Sequence, residues 1–281
     1  MGEDHFGRDA PGRCRVSLIP RVTGTRLDPI LKSVAERAAI RLAEPPVADP
    51  DPARVTRFTR ALRGEGLSFI AECKRRSPSV GDFGAAMSIA DRATAYGNAG
   101  ASALSVLTEQ DHFGGAPRDL AEAACAGIPR LRKDFLLSEG MVVESVAMGA
   151  DAVLLLAVCL DDSQLSDMRA TARDLGLAVL LEVHDEVELE RGLRVEPDCI
   201  GVNARDLTTF EVDLAIPERL IPQIPESFIR VAESGIHGAE DARRMRDAGA
   251  SAVLVGEALM RAEDPAKTLA EWRAVLNGEA H

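Results

Sequence analysis

Lysine, aromatic residues and long apolar runs are all scarce in this sequence. Only four lysines occur among the 33 basic residues, and aromatic residues make up 4% of the chain. No stretch approaches the roughly 18 apolar residues of a membrane span, and residues 1–26 contain no apolar segment typical of a signal peptide. We therefore expect a cytoplasmic protein that makes no contact with a membrane.

Cysteine and histidine are too scattered to indicate a metal site or a disulfide framework. The five cysteines are widely spaced and form no C-x-x-C pair: Cys14, Cys73, Cys125, Cys159 and Cys199. Their pattern predicts neither disulfides nor bound zinc. The histidines His112, His184 and His237 fall in separate loops without ligand spacing, so we expect them to be surface residues and expect no metal.

Positive charge is in deficit across the whole chain. The formal net charge is −12 at pH 7. This balance argues against nucleic acid or an anionic membrane as the main partner, because both attract basic surfaces. An anionic ligand would need a local basic pocket.

Apolar, β-branched runs alternate with helix-like segments from residue 68 onward. Between the runs, apolar residues are spaced at three and four, as in amphipathic helices. Eight runs are candidate strands: Ser68–Lys74, Ala103–Thr108, Pro129–Lys133, Ala152–Val158, Ala178–Val183, Cys199–Asn203, Phe228–Glu233 and Ala252–Gly256. This alternation predicts an α/β fold with a parallel sheet.

An internal repeat and the number of strands favour a closed sheet. Gly-Ala-(Ser/Asp)-Ala-(Leu/Val) recurs at residues 100–104, 149–153 and 249–253, where glycine can end a helix before the next strand. Repeated βα units also build doubly wound open sheets, but no Gly-x-Gly-x-x-Gly follows the first run. We therefore predict a single (β/α)₈ TIM barrel over residues 67–281, preceded by a tail and helical extension over residues 1–66.

Polar residues at the strand ends are the candidate site residues, because barrel enzymes carry their chemistry there. Side chains alternate between the two faces of a strand, so Glu72 and Lys74 at the end of the first strand both point into the barrel mouth. The same parity turns Lys133 inward at the third strand end and turns Arg132 toward the helices. A purely structural Glu72–Lys74 pair remains an alternative.

The scarcity of lysine gives the two strand-end lysines extra weight. A desolvated ammonium can release its proton, whereas a guanidinium in practice cannot. Lys74 and Lys133 are therefore candidate general acids or bases, with leftover surface lysines as the alternative. Glu182 stands alone in an apolar run, where we expect desolvation to raise its pKa.

The remaining strand ends supply candidate binding groups. The Asn203 amide can hold a substrate hydroxyl, and the Arg205 guanidinium can grip a carboxylate, although an Arg205–Asp206 loop salt bridge is an alternative. Phe113 and Phe135 follow the second and third strands and can pack on an aromatic ring, although ordinary loop packing is equally consistent.

Serine and glycine after the seventh and eighth strands fit the usual phosphate site of such barrels. The residues are Ser234, Gly235, Gly256 and the adjacent Glu257. Ser77, in the loop after the first strand, can complete the phosphate grip. Many phosphate-binding barrels share this signal, so it points to a ligand class only.

These residues, in this order, resemble indole-3-glycerol-phosphate synthase. The matching blocks cover roughly residues 68–262: Ile70–Ser79, Leu104–Thr108 with Phe113–Gly115, Lys133–Phe135, Leu181–His184, Gly201–Leu207 and Val231–Ile236. The first and fifth blocks are specific to that family. Glu257 departs from it, because many relatives have serine there.

The resemblance implies ring closure of 1-(o-carboxyphenylamino)-1-deoxyribulose 5-phosphate, with loss of carbon dioxide and water, to indole-3-glycerol phosphate in tryptophan biosynthesis. Lys133 would be the general acid, Lys74 would hold the substrate carboxylate or pass protons, and Glu182 would accept a proton in the later dehydration. No cofactor is implied, because the ketone and aromatic amine of the substrate supply the electron movement. Other tryptophan-pathway enzymes are candidate partners.

The resemblance also implies supporting roles. Glu72 would orient Lys74, Asn203 and Arg205 would position the hydroxyls and the anthranilate end, and Glu233 would bind a ribulose hydroxyl. Four alternatives stay open: a paralogue acting on a modified anthranilate, a phosphate-sugar isomerase, a Schiff-base aldolase using Lys133, and a catalytically silent barrel.

Overall fold

An eight-stranded parallel barrel forms the centre of the molecule. The computed structural model describes residues 23–43, 47–77, 81–82, 87–206, 209 and 211–278, with the backbone alone for residues 77, 81 and 82. In chain order the elements are α1 (Asp28–Arg41), α2 (Ala53–Leu62), β1 (Ser68–Cys73), β2 (Arg76–Ser77), β3 (Gly81–Asp82), α3 (Ile89–Asn98), β4 (Ala103–Leu107), α4 (Pro117–Glu122), β5 (Arg130–Lys133), α5 (Glu139–Ala147), β6 (Ala152–Leu156), α6 (Asp162–Asp174), β7 (Ala178–Val183), α7 (Glu186–Val195), β8 (Cys199–Asn203), α8 (Ala215–Leu220), β9 (Ile229–Glu233), α9 (Ala239–Asp247), β10 (Ala252–Val255), α10 (Glu257–Arg261) and α11 (Pro265–Asn277).

The strands close in the order β1-β10-β9-β8-β7-β6-β5-β4. β1 pairs in parallel with both β4 and β10, and this double pairing closes the ring. Helices cover the outer face, so every residue of β1, β4, β6, β7, β8 and β10 is buried. The predicted (β/α)₈ barrel is confirmed. No helix within the described ranges combines the length and apolar character that crossing a membrane requires.

The repeated glycines end helices, as the sequence predicts. Gly100, Gly149 and Gly249 have φ values of 85°, 87° and 99°, in the left-handed region that favours glycine. After Gly149, the N–H of Ala150 donates to the Ser145 carbonyl at 2.9 Å, five residues back. This bond satisfies a carbonyl that the end of the helix leaves without a partner, and it turns the chain into the next strand.

The two helices before the barrel lie at opposite ends of it. In α1, Ile30 is buried and, with Leu27, lines the cavity at the carboxyl ends of the strands. In α2, the Val55 N–H donates to the Gly176 carbonyl at 2.8 Å, just before β7 begins. The extension therefore contributes to the barrel mouth through α1 and covers the opposite end through α2.

Arg132 on β5 points outward, as strand parity predicts, and its surroundings explain why an arginine is buried there. The side chain is 1% exposed. Its guanidinium donates to Asp134 Oδ2 at 2.9 Å and to Glu144 Oε2 and Ser145 Oγ at 3.0 Å. Arg41 at the end of α1 also pairs with Glu144. An ionic network, buried at Arg132 and partly exposed at Arg41, thus joins β5, α5 and α1.

Candidate active site

A cavity of about 930 Å³, including its open mouth, lies at the carboxyl ends of the strands. Ten of the predicted site residues line it: Glu72, Lys74, Phe113, Lys133, Phe135, Glu182, Asn203, Arg205, Ser234 and Glu257. Glu233, Gly235 and Gly256 line an adjoining cavity, which shares Glu72, Lys74 and Lys133 with the first. The fold therefore brings together 13 of the predicted residues. The side chain of Ser77 lies outside the described residues.

Lys133 stands between two buried carboxyl groups. Its Nζ lies 3.0 Å from Glu182 Oε2 and 3.5 Å from Glu233 Oε2. Both glutamates are no more than 2% exposed. Neither oxygen of Glu233 has a hydrogen-bond partner within the described part of the chain. Glu233 can therefore accept or donate a hydrogen bond to a ligand in the cavity.

Neighbouring charges determine whether Lys133, Glu182 and Glu233 are protonated. Burial alone would raise the pKa of Glu182, but Lys133, His184 and Asn203 outweigh it and hold that pKa well below the usual range. The expectation of a raised pKa for Glu182 is therefore wrong. Burial would also lower the pKa of Lys133, but Glu182 and Glu233 reverse this and raise it.

Glu233 is the carboxyl group with the raised pKa. Burial and the neighbouring charge of Glu182 raise it to about 8, and the Lys133 ammonium offsets only part of this effect. At neutral pH the Lys133 ammonium therefore lies between one ionised glutamate, Glu182, and one protonated glutamate, Glu233. Such a pair with separated pKa values is a common feature of acid–base catalysis.

Lys74 and Glu72 form a second ion pair at the mouth. Lys74 Nζ lies 2.7 Å from Glu72 Oε1, and both side chains are about one-tenth exposed, at 11% and 9%. A Cβ added at Gly256 would lie 2.3 Å from Glu72 Oε1 and 3.0 Å from Lys74 Nζ. The glycine after β10 therefore leaves the space that this pair occupies.

Asn203 and Arg205 contact other residues of the site. Asn203 Nδ2 donates to Glu182 Oε1 at 2.9 Å, and its Oδ1 accepts from the Arg205 N–H at 3.0 Å. Arg205 Nη2 lies 3.8 Å from Glu257 Oε2. Asn203 therefore fixes the position of Glu182 in addition to facing the cavity.

The predicted phosphate end has an unusual backbone. Ser234 and Gly235, directly after β9, have φ values of 66° and 76°, and Ser234 is one of two non-glycine residues with positive φ in the described chain. A serine in this region is strained, and such strain often marks a functional site. Glu257, which also lines the cavity, forms an ion pair with Arg261: its Oε1 lies 3.1 Å from Arg261 Nε.

Phe113 and Phe135 form an apolar wall of the cavity. Their ring centroids are 6.2 Å apart, and the ring planes are inclined by 41°. Both rings line the cavity together with Ile30 of α1 and with Leu27, which directly precedes that helix. The mouth thus has an apolar side formed partly by α1 and a charged side formed by the strand ends.

The comparisons identify the family. Residues 28–272 match the family model described as indole-3-glycerol phosphate synthase. A curated relative of that name from Opitutus terrae is 44% identical over 254 residues, which are 88% of this chain and 93% of the relative. Another from Polaromonas naphthalenivorans is 50% identical over 219 residues, 76% of this chain and 83% of the relative.

The chain belongs to the indole-3-glycerol phosphate synthase family. Solved structures of other proteins share its fold. Thiamine phosphate pyrophosphorylase from Pyrococcus furiosus superposes with a TM-score of 0.56 at 17% identity, covering 78% of this chain and all of that one. N-acetylmannosamine-6-phosphate 2-epimerase from Clostridium perfringens superposes with a TM-score of 0.57 at 16% identity, covering 78% of this chain and 96% of that one. At such low identity these likenesses concern the fold alone.

The prediction of surface histidines is wrong for His184. Its side chain is 15% exposed and lies between Glu182 and Glu188. His237 is exposed but lines the cavity that also contains Gly235. The period of two that placed Glu72 and Lys74 on one face also aligns Glu182 with His184, so the signal was present in the sequence. Within the described ranges, no cluster of three or more His, Cys, Asp or Glu side chains could hold a metal ion.

Proposed function

We propose that the chain converts 1-(o-carboxyphenylamino)-1-deoxyribulose 5-phosphate into indole-3-glycerol phosphate, releasing carbon dioxide and water. The observation that carries this proposal is the Lys133 ammonium held between Glu182 and Glu233 at the barrel mouth. Membership of the family supports the reaction and a phosphorylated small molecule as the substrate. The roles of individual residues below belong to the same proposal.

Ring closure joins the carboxylate-bearing carbon of the aromatic ring to the ketone carbon. The ketone oxygen then gains negative charge and needs a proton. Lys133 is protonated, since its acidic neighbours, chiefly the Glu182 carboxylate, raise its pKa, and an alkoxide is a much stronger base than an amine. Lys133 is therefore the proposed donor for this step.

Loss of carbon dioxide leaves its electron pair in the ring, and loss of water then completes the indole. Loss of water needs a base that removes a proton from the newly closed ring and an acid that protonates the departing hydroxyl. Glu182 is ionised and suits the base. Glu233 has a pKa of about 8 and can bind the ribulose hydroxyls or give its proton to the departing hydroxyl, which then leaves as water.

We assign the two ends of the substrate to different parts of the cavity. The phosphate would bind at Ser234, Gly235 and Gly256, where backbone N–H groups can receive it. The carboxylate would face Lys74, which Glu72 holds at 2.7 Å. The aromatic ring would pack against the apolar wall of Phe113 and Phe135, while Arg205 would bind near the anthranilate end.

The activity assay follows directly from this chemistry. Purified protein mixed with the substrate should produce indole fluorescence. Folded protein that gives no product would overturn the proposal. The same assay with ring-substituted substrates would reveal a preference for a modified anthranilate, which is an alternative that the sequence leaves open.

Replacing the proposed acid tests its role. Lys133→Arg keeps a positive charge but cannot release a proton in practice, so kcat should fall by about 10²- to 10⁴-fold while substrate still binds. Lys267→Arg is the matched control, because Lys267 is 71% exposed on α11. Near-normal turnover by Lys133→Arg would contradict the assignment.

A further inference from the structure

His184 lies beside the proposed base and is held there by the next helix. Its Nδ1 lies 2.9 Å from Glu188 Oε2, and its backbone N–H donates to the same oxygen at 2.9 Å. Its Nε2 is buried and has no hydrogen-bond partner within the described residues, but it lies 3.3 Å from Glu182 Oε1, close enough for an ion pair. The imidazole therefore bridges a carboxylate of the site and a carboxylate outside it.

The local fold explains why the ring cannot leave this position easily. Glu182 and His184 lie two residues apart at the end of β7, so both side chains point to the same face. Asp185 caps α7, accepting the Glu188 N–H at 2.8 Å, and this fixes Glu188 in the first turn. The side chains of His184 and Glu188 are 15% and 13% exposed, so water competes little for these contacts.

The contacts of Glu182 divide between its two oxygens. Oε2 faces Lys133 at 3.0 Å, whereas Oε1 accepts from Asn203 at 2.9 Å and faces His184 at 3.3 Å. If Lys133 gives its proton to the substrate, its positive charge disappears during the reaction. His184 is then the remaining cation beside Glu182 among the described contacts.

We propose that His184, anchored by Glu188, is a positioning residue that fixes the orientation and the negative charge of Glu182 while Lys133 changes its protonation. This inference rests on the proposed function. Motion of Glu182 away from the substrate proton would slow the transfer, because a misplacement of about 1 Å can cost about a hundredfold in rate. His184 itself need not touch the substrate.

The pH dependence of kcat separates this role from a purely structural one. Burial lowers the pKa of His184, but Glu182 and Glu188 outweigh it and raise the pKa to about 10, so the ring is an imidazolium at neutral pH. The other titratable groups that act on His184 or Glu182 are Glu188 on α7, Lys133 on β5 and Glu233 on β9, while Glu72 on β1 acts on Lys133 and Glu233. Loss of the imidazolium should raise the pKa of Glu182 toward its ordinary value.

The test uses His184→Asn and Glu188→Gln in the full chain. His184→Asn should lower kcat by about tenfold or more, with KM within about twofold, and should move the acid limb of the kcat profile to higher pH. Glu188→Gln should move that limb in the same direction by less. Matched controls are His112→Asn, whose ring lies 3.4 Å from Ser33 Oγ, and Glu190→Gln, which is 76% exposed on α7.

Unchanged kcat and an unchanged acid limb in both variants would overturn the inference. Absence of turnover in the wild type would instead contradict the proposed function. The inference about His184 therefore also has a test that does not depend on catalysis. Carbon-13 NMR of labelled glutamate follows the titration of Glu182 in the wild type and in His184→Asn. The titration should shift to higher pH in the variant, and an unshifted titration also overturns the inference.

Discussion

Gly201 and Gly256 provide the space in which two carboxyl groups of the site lie. A Cβ at Gly201 would lie 2.0 Å from Glu233 Oε1, and one at Gly256 would lie 2.3 Å from Glu72 Oε1. Neither glycine has a positive φ, so their conformation alone does not require glycine. The packing of the buried acids requires it instead.

Gly201→Ala should therefore displace Glu233 and reduce activity. We expect kcat to fall by about tenfold or more, since a shift of about 1 Å in a positioned group can cost about a hundredfold. Steady-state kinetics of Gly201→Ala and of the control Gly64→Ala check this, because no atom lies within 4 Å of a Cβ at Gly64. Equal kcat values for the two variants would contradict the expectation.

At the residue scale, strand parity was sufficient to predict which side chains lie at the cavity. It predicted that Glu72, Lys74 and Lys133 face the cavity, because side chains on a strand alternate between its faces. It could not give the sign of the pKa shift at Glu182, which depends on Lys133 and Asn203 from other strands. The assigned roles of these residues and the division of the chain at residues 66 and 67 stay predictions.

At the scale of elements, α1 joins the cavity to the network behind β5. Arg41 pairs with Glu144, which also binds Arg132 of β5. Ile30, from the same helix, is 5% exposed and lines the cavity. A helix outside the barrel thus supplies part of its mouth and is anchored next to the strand that carries Lys133.

Ile30→Ala should weaken substrate binding more than it slows turnover. The shorter side chain removes apolar contact from the mouth, which we expect to raise KM by about tenfold with a smaller change in kcat. Ile40→Ala is the control on the same helix, because Ile40 is 81% exposed. Initial-rate measurements across substrate concentration distinguish the two, and an unchanged KM for Ile30→Ala would exclude a binding role for this contact.

Elements with strong periodicity were predictable, and short ones were not. The eight runs correspond to the eight strands of the barrel. The hairpin of β2 and β3 was not predicted, because two-residue strands carry too little alternation to recognise. Strand ends differ by a residue or two where hydrogen bonding stops before the apolar run does.

For the whole molecule, the buried site groups couple folding stability to pH. The folded pKa of Glu233, about 8, exceeds its ordinary value of 4.5, so only the folded chain holds that proton between these values. His184, at about 10 against 6.5, behaves likewise at higher pH. Glu233 and His184 both make the free energy of unfolding fall as pH rises from about 6.5 to 8, because the folded state binds more protons than the unfolded state.

Glu233→Gln should therefore reduce the loss of stability across this pH interval. The free energy of unfolding, measured by urea denaturation at pH 6.5 and pH 8, should fall less for Glu233→Gln than for the wild type. Gly64→Ala should keep the wild-type difference, because it removes no titratable group and no atom lies within 4 Å of a Cβ at Gly64. An identical pH dependence for Glu233→Gln and the wild type would contradict the raised pKa.

Closure of the ring has a consequence for synthesis of the chain on the ribosome. Ser68 at the start of β1 pairs with Ala252 in β10, so the closing seam joins segments far apart in the sequence. Until β10 has left the ribosomal exit tunnel, β1 has an unpaired edge that can bind other chains. Because Gly256 follows β10, the space beside Glu72 and Lys74 is enclosed only at this last step. A nascent chain released before residue 252 would carry both lysines of the site but could not form the barrel that positions them.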